Sequence, residues 1–255
     1  MARFPGKVFL IGAGPGAADL ITLRGADLLQ RADVVFHDAL VQPGVIALAA
    51  RARKIAVGKR CGRHATAQHF ISKRLVDAAR KYRVVVRLKG GDPMLFGRAQ
   101  EEIAALEAAG VPYEVVPGVT SALAAAAEAG ISLTRRGVAR SVAFVTPRVG
   151  AGAAPNEWAT VAAAADTAVI YMGAGEAEAI TRALLAAGAP RDLPLLVVEN
   201  ATLPEARRMT LTLAELPQIA RFGLAGPVLI MLGAVFAGAS ATTAESRVVP
   251  ASKTA

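Results

Sequence analysis

Short apolar runs, each closed by glycine, proline or an acid and separated by longer stretches of helical spacing, set the narrowest limit on how this chain folds. Val8–Ile11 ends in Gly12-Ala13-Gly14-Pro15-Gly16, and Val34–His37 ends at Asp38. Val84–Leu88 runs into Lys89-Gly90-Gly91-Asp92-Pro93, and Tyr113–Val116 is closed by Pro117-Gly118. Runs this short and this rich in β-branched residues read as buried strands. Between them Ile21–Arg31, 68–81 and 97–109 carry helical spacing, with Ile71, Leu75 and Ala78 on one face of the second. The pattern restarts after Pro117-Gly118. A helix over 119–129 is followed by strands at Ser141–Thr146 and Thr167–Met172, with a loop over 147–156 between them. A helix over 175–187 precedes strands at Leu195–Glu199, Arg207–Thr212 and Val228–Gly233. Alternating strands and helices call for layered α/β architecture. The break predicts two α/β domains, 1–117 and 118–237, with a ligand cleft between them. Residues 238–255 are small and polar without a period and read as a disordered tail.

Composition narrows the class. Apolar residues make up 54% of the chain and aromatics only 5%, so the core is built from aliphatics. No apolar run is long enough to span a membrane. Arg3 and Lys7 before Val8–Ile11 loosely mimic a secretion signal, but Gly12, Gly14, Pro15 and Gly16 interrupt it at once. The single cysteine, Cys61, excludes an internal disulfide and suits the cytosol, so the expected location is cytoplasmic. His37, His64 and His69 lack ligand spacing, and no metal site is expected. The net charge of +9 fits nucleic acid, an anionic membrane or a polyanionic small substrate. Residues 51–63 hold six basic residues and 134–148 hold four, with no acid in either. Two basic segments mixed with apolar residues read as two loops around one anionic ligand.

Each motif has a functional and a plain reading. Gly12 to Gly16 after a strand resembles a dinucleotide fingerprint, but Ala17 stands where the third glycine belongs, and a tight strand-to-helix turn without ligand is the alternative. The glycines of Lys89-Gly90-Gly91-Asp92-Pro93 let a ligand approach the backbone, and Asp92 offers a carboxylate for a ribose hydroxyl or an ammonium; the alternative is an Asp-Pro turn. Asp38 sits at a strand end, where a carboxylate can act as general base or simply cap a turn. Lys59 and Arg60 in Val57-Gly58-Lys59-Arg60 suit carboxylates, or solvent.

Taken together the segments lose this ambiguity. GAGPGAADLITLRGADLLQRADVVFHDALV, VGKR, RLKGGDPMLFGRAQEE, VVPGVTSALAAAAEAGISLTRRGVARSVAFVT, YMG, VEN and PVLIMLG occur in this order. They resemble the uroporphyrinogen-III C-methyltransferases of the tetrapyrrole methylase family, over residues 6–236. The resemblance implies two α/β domains with S-adenosylmethionine in the cleft between them, no metal, and a homodimer. It implies methylation of uroporphyrinogen III at C2 and C7, giving precorrin-2 by way of precorrin-1, for cobalamin and sirohaem synthesis. It assigns Pro15, Gly90, Gly91, Asp92, Leu95, Thr120, Ser121, Met172 and Ala201 to the cofactor. It makes Asp38 the proton acceptor and Lys59 the proton donor.

The chain departs from the family pattern in places. Ala201 stands where members commonly have glycine, Arg135 where many have histidine, and Thr146-Pro147-Arg148 replaces a common Thr-Gly-His. The substrate's eight carboxylates call for several cations, and Arg60, Arg135 and Arg136 are the candidate anchors. Another precorrin methyltransferase of the family is the nearest alternative. An RNA 2′-O-methyltransferase would use the positive charge, but the basic segments lack the interleaved aromatics of a single-strand binder, so no nucleic-acid partner is expected. A non-catalytic tetrapyrrole or cofactor sensor would not need Asp38, Lys59 and the Gly-Gly-Asp triplet.

Overall fold

The structure, a computed structural model, describes residues 4–57, 68–149 and 157–240. The chain divides into two compact units, Met1–Ser121 and Ala122–Ala255. The division falls four residues after the boundary expected at Pro117. Gly118 stays with the first unit because its N–H donates to Asp92 and its Cα packs against Gly12.

In the first unit β1 (Lys7–Gly12), β2 (Val34–His37), β3 (Arg53–Ala56), β4 (Val84–Lys89) and β5 (Tyr113–Val116) form one sheet in the order β3-β2-β4-β1-β5. Every neighbouring pair is parallel. That explains the unbroken apolar runs, because a parallel sheet is covered on both faces. On one face Leu28 and Leu29 of α1 (Leu23–Gln30) and Val45 of α2 (Pro43–Ala47) pack on Ile11, Val35, Val86 and Leu88. On the other, Ile71 and Leu75 of α3 (Gln68–Ala79) and Ile103 and Leu106 of α4 (Ala99–Ala109) pack on Val8, Leu10, Val34 and Val85. The first helix begins later than the spacing predicts because the Thr22 hydroxyl accepts the Gly25 N–H and caps it. α4 likewise starts at Ala99, because Arg98 adopts a left-handed φ of 55°. Neither α2 nor β3 is anticipated: α2 is barely longer than one turn, and the edge strand β3 (RKIA) has no apolar run.

In the second unit α5 (Ser121–Ala129) leads into β6 (Val142–Val145), α6 (Trp158–Ala164), β7 (Thr167–Tyr171), α7 (Ala177–Ala186), β8 (Pro194–Glu199), β9 (Arg207–Thr212) and β10 (Val228–Gly233). The sheet order is β6-β7-β10-β8-β9, and only the β6–β7 pair is parallel. α7 and the 3-10 segment Leu213–Phe222 bury Ile180, Leu184, Leu213 and Leu216 on one face. Ala122 and Ala125 of α5 cover the other with Phe236. The alanine-rich spacing of α5 thus serves close helix–sheet packing. α6 is absent from the sequence expectation, and the expected loop 147–156 is described only to residue 149. The expected tail is described only to residue 240. Among the described residues no helix is long and apolar enough to cross a membrane.

Candidate active site

In a parallel sheet, ligands gather at the carboxyl ends of the strands, where the strand order reverses. Here β4 and β5 lie on opposite sides of β1, and the expected residues of the first unit follow these ends. The loops after β1 and β4 are tied by two backbone bonds, Gly91 N–H to Gly14 O at 2.7 Å and Gly14 N–H to Gly91 O at 3.2 Å. Gly14 and Gly91 take φ of 78° and 67°, in the left-handed region that favours glycine. A Cβ on Gly12 would lie 2.6 Å from Gly118 Cα and 2.7 Å from Gly91 O, so these three loops pack backbone to backbone. A Cβ on Gly91 would meet nothing within 4 Å. The Gly90–Gly91 segment therefore has one side locked and one side open, the shape of a backbone cradle.

Asp92 locks this cluster. Its Oδ1 accepts the Met94 N–H at 2.7 Å and its Oδ2 accepts the Gly118 N–H at 2.8 Å. The Asp-Pro turn and the cofactor reading are thus not exclusive: the carboxylate shapes the turn and still stands beside the opening. Pro15, Leu95 and Ser121 are half-buried around these loops, and Thr120 is buried.

Below the cradle lies a charged cluster inside an otherwise apolar sheet. Arg87, in the middle of β4, is 2% exposed. Its Nε donates to Glu102 Oε1 at 2.9 Å and its Nη2 to Asp38 Oδ1 at 2.6 Å. Its Nη1 faces the carbonyls of Leu88, at 3.2 Å, and Phe36, at 3.5 Å. Glu102 has no exposed surface, and it also accepts from Lys89 Nζ at 3.2 and 3.3 Å and from Gln68 Nε2 at 2.9 Å. Burial alone would lower the Arg87 pKa, but Asp38 and Glu102 outweigh it and hold it above its ordinary value. Lys89 is pushed the other way, by burial first and by Arg87 next, against the pull of Glu102.

In the second unit Met172 and Ala201 follow β7 and β8, which run in the same direction on either side of β10. Both therefore lie at the same end of the sheet. Met172 is 43% exposed and Ala201 is buried. Glu199, at the end of β8, accepts from Arg207 Nε at 2.6 Å and from the N–H groups of Ala225 and Gly226 at 2.7 and 2.8 Å. Burial raises the Glu199 pKa, but the Gly226 N–H, Arg207 and the Ala225 N–H outweigh it and leave it below the ordinary carboxylate range. Arg135 and Arg136 are exposed on a turn closed by the Arg135–Ala139 bridge.

One backbone property singles out the same segments in both units. Among the described residues, the non-glycine residues with positive φ are Phe96 and Arg98, just after Leu95, Met172, and Asn200 and Thr202 on either side of Ala201. Such conformations cost roughly 1–3 kcal/mol each and cluster at ligand sites.

A family model described as Tetrapyrrole (Corrin/Porphyrin) Methylases matches residues 7–217. The chain belongs to the tetrapyrrole methylase family. It is 47% identical over 231 residues to siroheme synthase 1 of Cronobacter sakazakii, an alignment covering 90% of this chain and 49% of that protein. The chain thus spans about half the length of the curated relatives it matches. The uroporphyrin III C-methyl transferase of Thermus thermophilus superposes with a TM-score of 0.80 at 42% identity, covering 90% of this chain and 98% of that one. The Thermus enzyme has also been solved with S-adenosyl homocysteine, and that complex superposes with a TM-score of 0.79. A cobalt precorrin-4 methyltransferase superposes equally well, 0.80, but at 31% identity over 92% of this chain and 98% of that one.

Within the first unit the structure brings together Pro15, Gly90, Gly91, Asp92 and the Gly118–Ser121 segment, with Asp38 at the neighbouring strand end. Lys59 and Arg60 lie outside the described residues. Sequence reasoning missed Arg87 and Glu102. The signal was there: an arginine in the middle of the apolar run Val84–Leu88, and a glutamate on the apolar face of the helix that follows. Glu199 and Arg207 were missed too, because their pairing joins adjacent antiparallel strands and no spacing announces it.

Proposed function

We propose that the chain is a C-methyltransferase that uses S-adenosylmethionine and acts on uroporphyrinogen III at C2 and C7, giving precorrin-2 by way of precorrin-1 for cobalamin and sirohaem synthesis. The observation that carries the reading is the Gly12–Gly91–Gly118 cradle, open at Gly91, with Asp92 locked beside it. Such a shape fits an adenosyl group: backbone can approach the ligand closely and a carboxylate can take a hydroxyl or ammonium. The cofactor contacts are proposed at Pro15, Gly90, Gly91, Asp92, Leu95, Thr120 and Ser121 in the first unit, and at Met172 and Ala201 in the second. The Thermus complex with S-adenosyl homocysteine supports the donor. The higher identity to the Thermus enzyme than to the precorrin-4 enzyme favours the uroporphyrinogen substrate.

Bound S-adenosylmethionine supplies an electrophilic methyl group on a sulfonium. The protein's part is to hold a pyrrole carbon in line with that methyl, and such alignment can lower the barrier by about 7–11 kcal/mol. When the carbon gains the methyl, the positive charge passes to the tetrapyrrole and is discharged by loss of a proton. Asp38 is the proposed acceptor and Lys59 the proposed donor of the protons that move. General base catalysis of this kind contributes about 10²–10⁴-fold. Arg60, Arg135 and Arg136 are proposed to hold substrate carboxylates. A homodimer in the cytoplasm is the proposed working form. The test is transfer of a ¹³C-methyl group from labelled S-adenosylmethionine to uroporphyrinogen III under anaerobic conditions, read by carbon NMR. Two new methyl signals on ring carbons support the reading, and tetrapyrrole recovered without label from folded protein would overturn it.

A further inference from the structure

The Arg87–Glu102 cluster calls for an explanation beyond stability. A buried ion pair repays its desolvation only with full hydrogen bonding, and apolar residues of similar volume often pack as well or better. Two cations, Arg87 and Lys89, and two carboxylates, Glu102 and Asp38, nonetheless occupy the sheet's carboxyl end. Three of the four side chains are at most 3% exposed, whereas the Asp38 side chain is 28% exposed. The cluster has a single outlet, and that outlet is the proposed proton acceptor.

We propose that Glu102 is a positioning residue for proton removal, acting through Arg87 to aim the Asp38 carboxylate. The inference rests on the reading of Asp38 as acceptor. The Arg87 guanidinium is planar and rigid, with Nε on Glu102 and Nη2 on Asp38, so fixing one end fixes the other. Its Nη1 bonds to the strand carbonyls remove the remaining freedom. Lys89, also on β4, and Gln68, on α3, hold Glu102 as well. Loss of Glu102 frees one end of the guanidinium and so loosens its hold on Asp38.

The test is a cycle of Glu102→Gln, Asp38→Asn and the double variant, with kcat and both KM values measured for methyl transfer to uroporphyrinogen III. S-adenosylhomocysteine binding and thermal melting establish that each variant folds. Glu102→Gln is expected to lower kcat about 10- to 100-fold, the scale of a small misplacement of a reacting group, with KM for S-adenosylmethionine unchanged. In the Asp38→Asn background the same change is expected to lower kcat no further. An equal loss in both backgrounds would overturn the proposal, as would an unchanged kcat in Glu102→Gln. If Glu102→Gln does not fold, Arg87→Lys enters the same cycle, because a lysine cannot bridge two carboxylates. An Asp38→Asn variant with full kcat would instead remove the underlying reading of Asp38, a result distinct from additivity.

Discussion

Glu199 illustrates how one carboxylate holds a loop in an unfavourable shape. It gathers the Arg207 guanidinium and the N–H groups of Ala225 and Gly226, next to Asn200 with its φ of 53°. A Cβ on Gly226 would run into the Asn200 side-chain oxygen, so a larger residue there would have to displace that side chain. The sign of the pH effect follows from the lowered pKa. A carboxyl whose folded pKa lies below its unfolded value contributes stability above the unfolded value, and that stability is lost as pH falls through the folded one. Glu199→Gln should therefore destabilise the protein at neutral pH, with the gap from wild type closing as pH drops below about 4. Melting curves across that range check it, and a gap independent of pH would contradict it. Asp38→Asn should lower kcat while leaving cofactor affinity intact. A near-normal kcat would assign Asp38 a structural part only. The strand-end position of Asp38 was legible from the apolar run before it, but its partner was not, since Arg87 is 49 residues away in the chain.

At the scale of elements, three loops after β1, β4 and β5 act as one unit because their glycines let backbones touch. Gly118→Ala would drive a Cβ into Gly91 O and to 2.8 Å from Gly12 Cα. It is expected to cost about 1–3 kcal/mol of stability as an overpacked site and to weaken S-adenosylmethionine binding at least tenfold. Gly110→Ala is the control: this α4 cap has φ 70° and open space around it. It should cost a comparable amount through backbone strain while leaving the affinity unchanged. Calorimetric titration of both variants separates the two. The glycines and their strands were legible as apolar runs with punctuation. The helix starts were not, because Thr22 and Arg98 set them through a cap and a left-handed turn. β3 escaped notice since an edge strand needs little apolar sequence.

For the whole molecule, the α/β class followed from alternation alone, but the mixed pairing of the second sheet did not. β8, β9 and β10 read as plain strands, and only long-range contacts decide that they run antiparallel. The +9 charge fits a polyanionic substrate. Neutralising Arg135 and Arg136 should raise KM for the tetrapyrrole by a few-fold each, about 0.2–1 kcal/mol for exposed pairs, with cofactor affinity unchanged. Steady-state kinetics at two salt concentrations check this, because screening should shrink the difference. The central claim is that this chain puts two methyl groups on uroporphyrinogen III. Anaerobic incubation with uroporphyrinogen III and S-adenosylmethionine, followed by mass spectrometry of the tetrapyrrole, tests it most directly. A product carrying two added methyl groups is the predicted result; recovery of unmethylated tetrapyrrole from folded, cofactor-binding protein would contradict it.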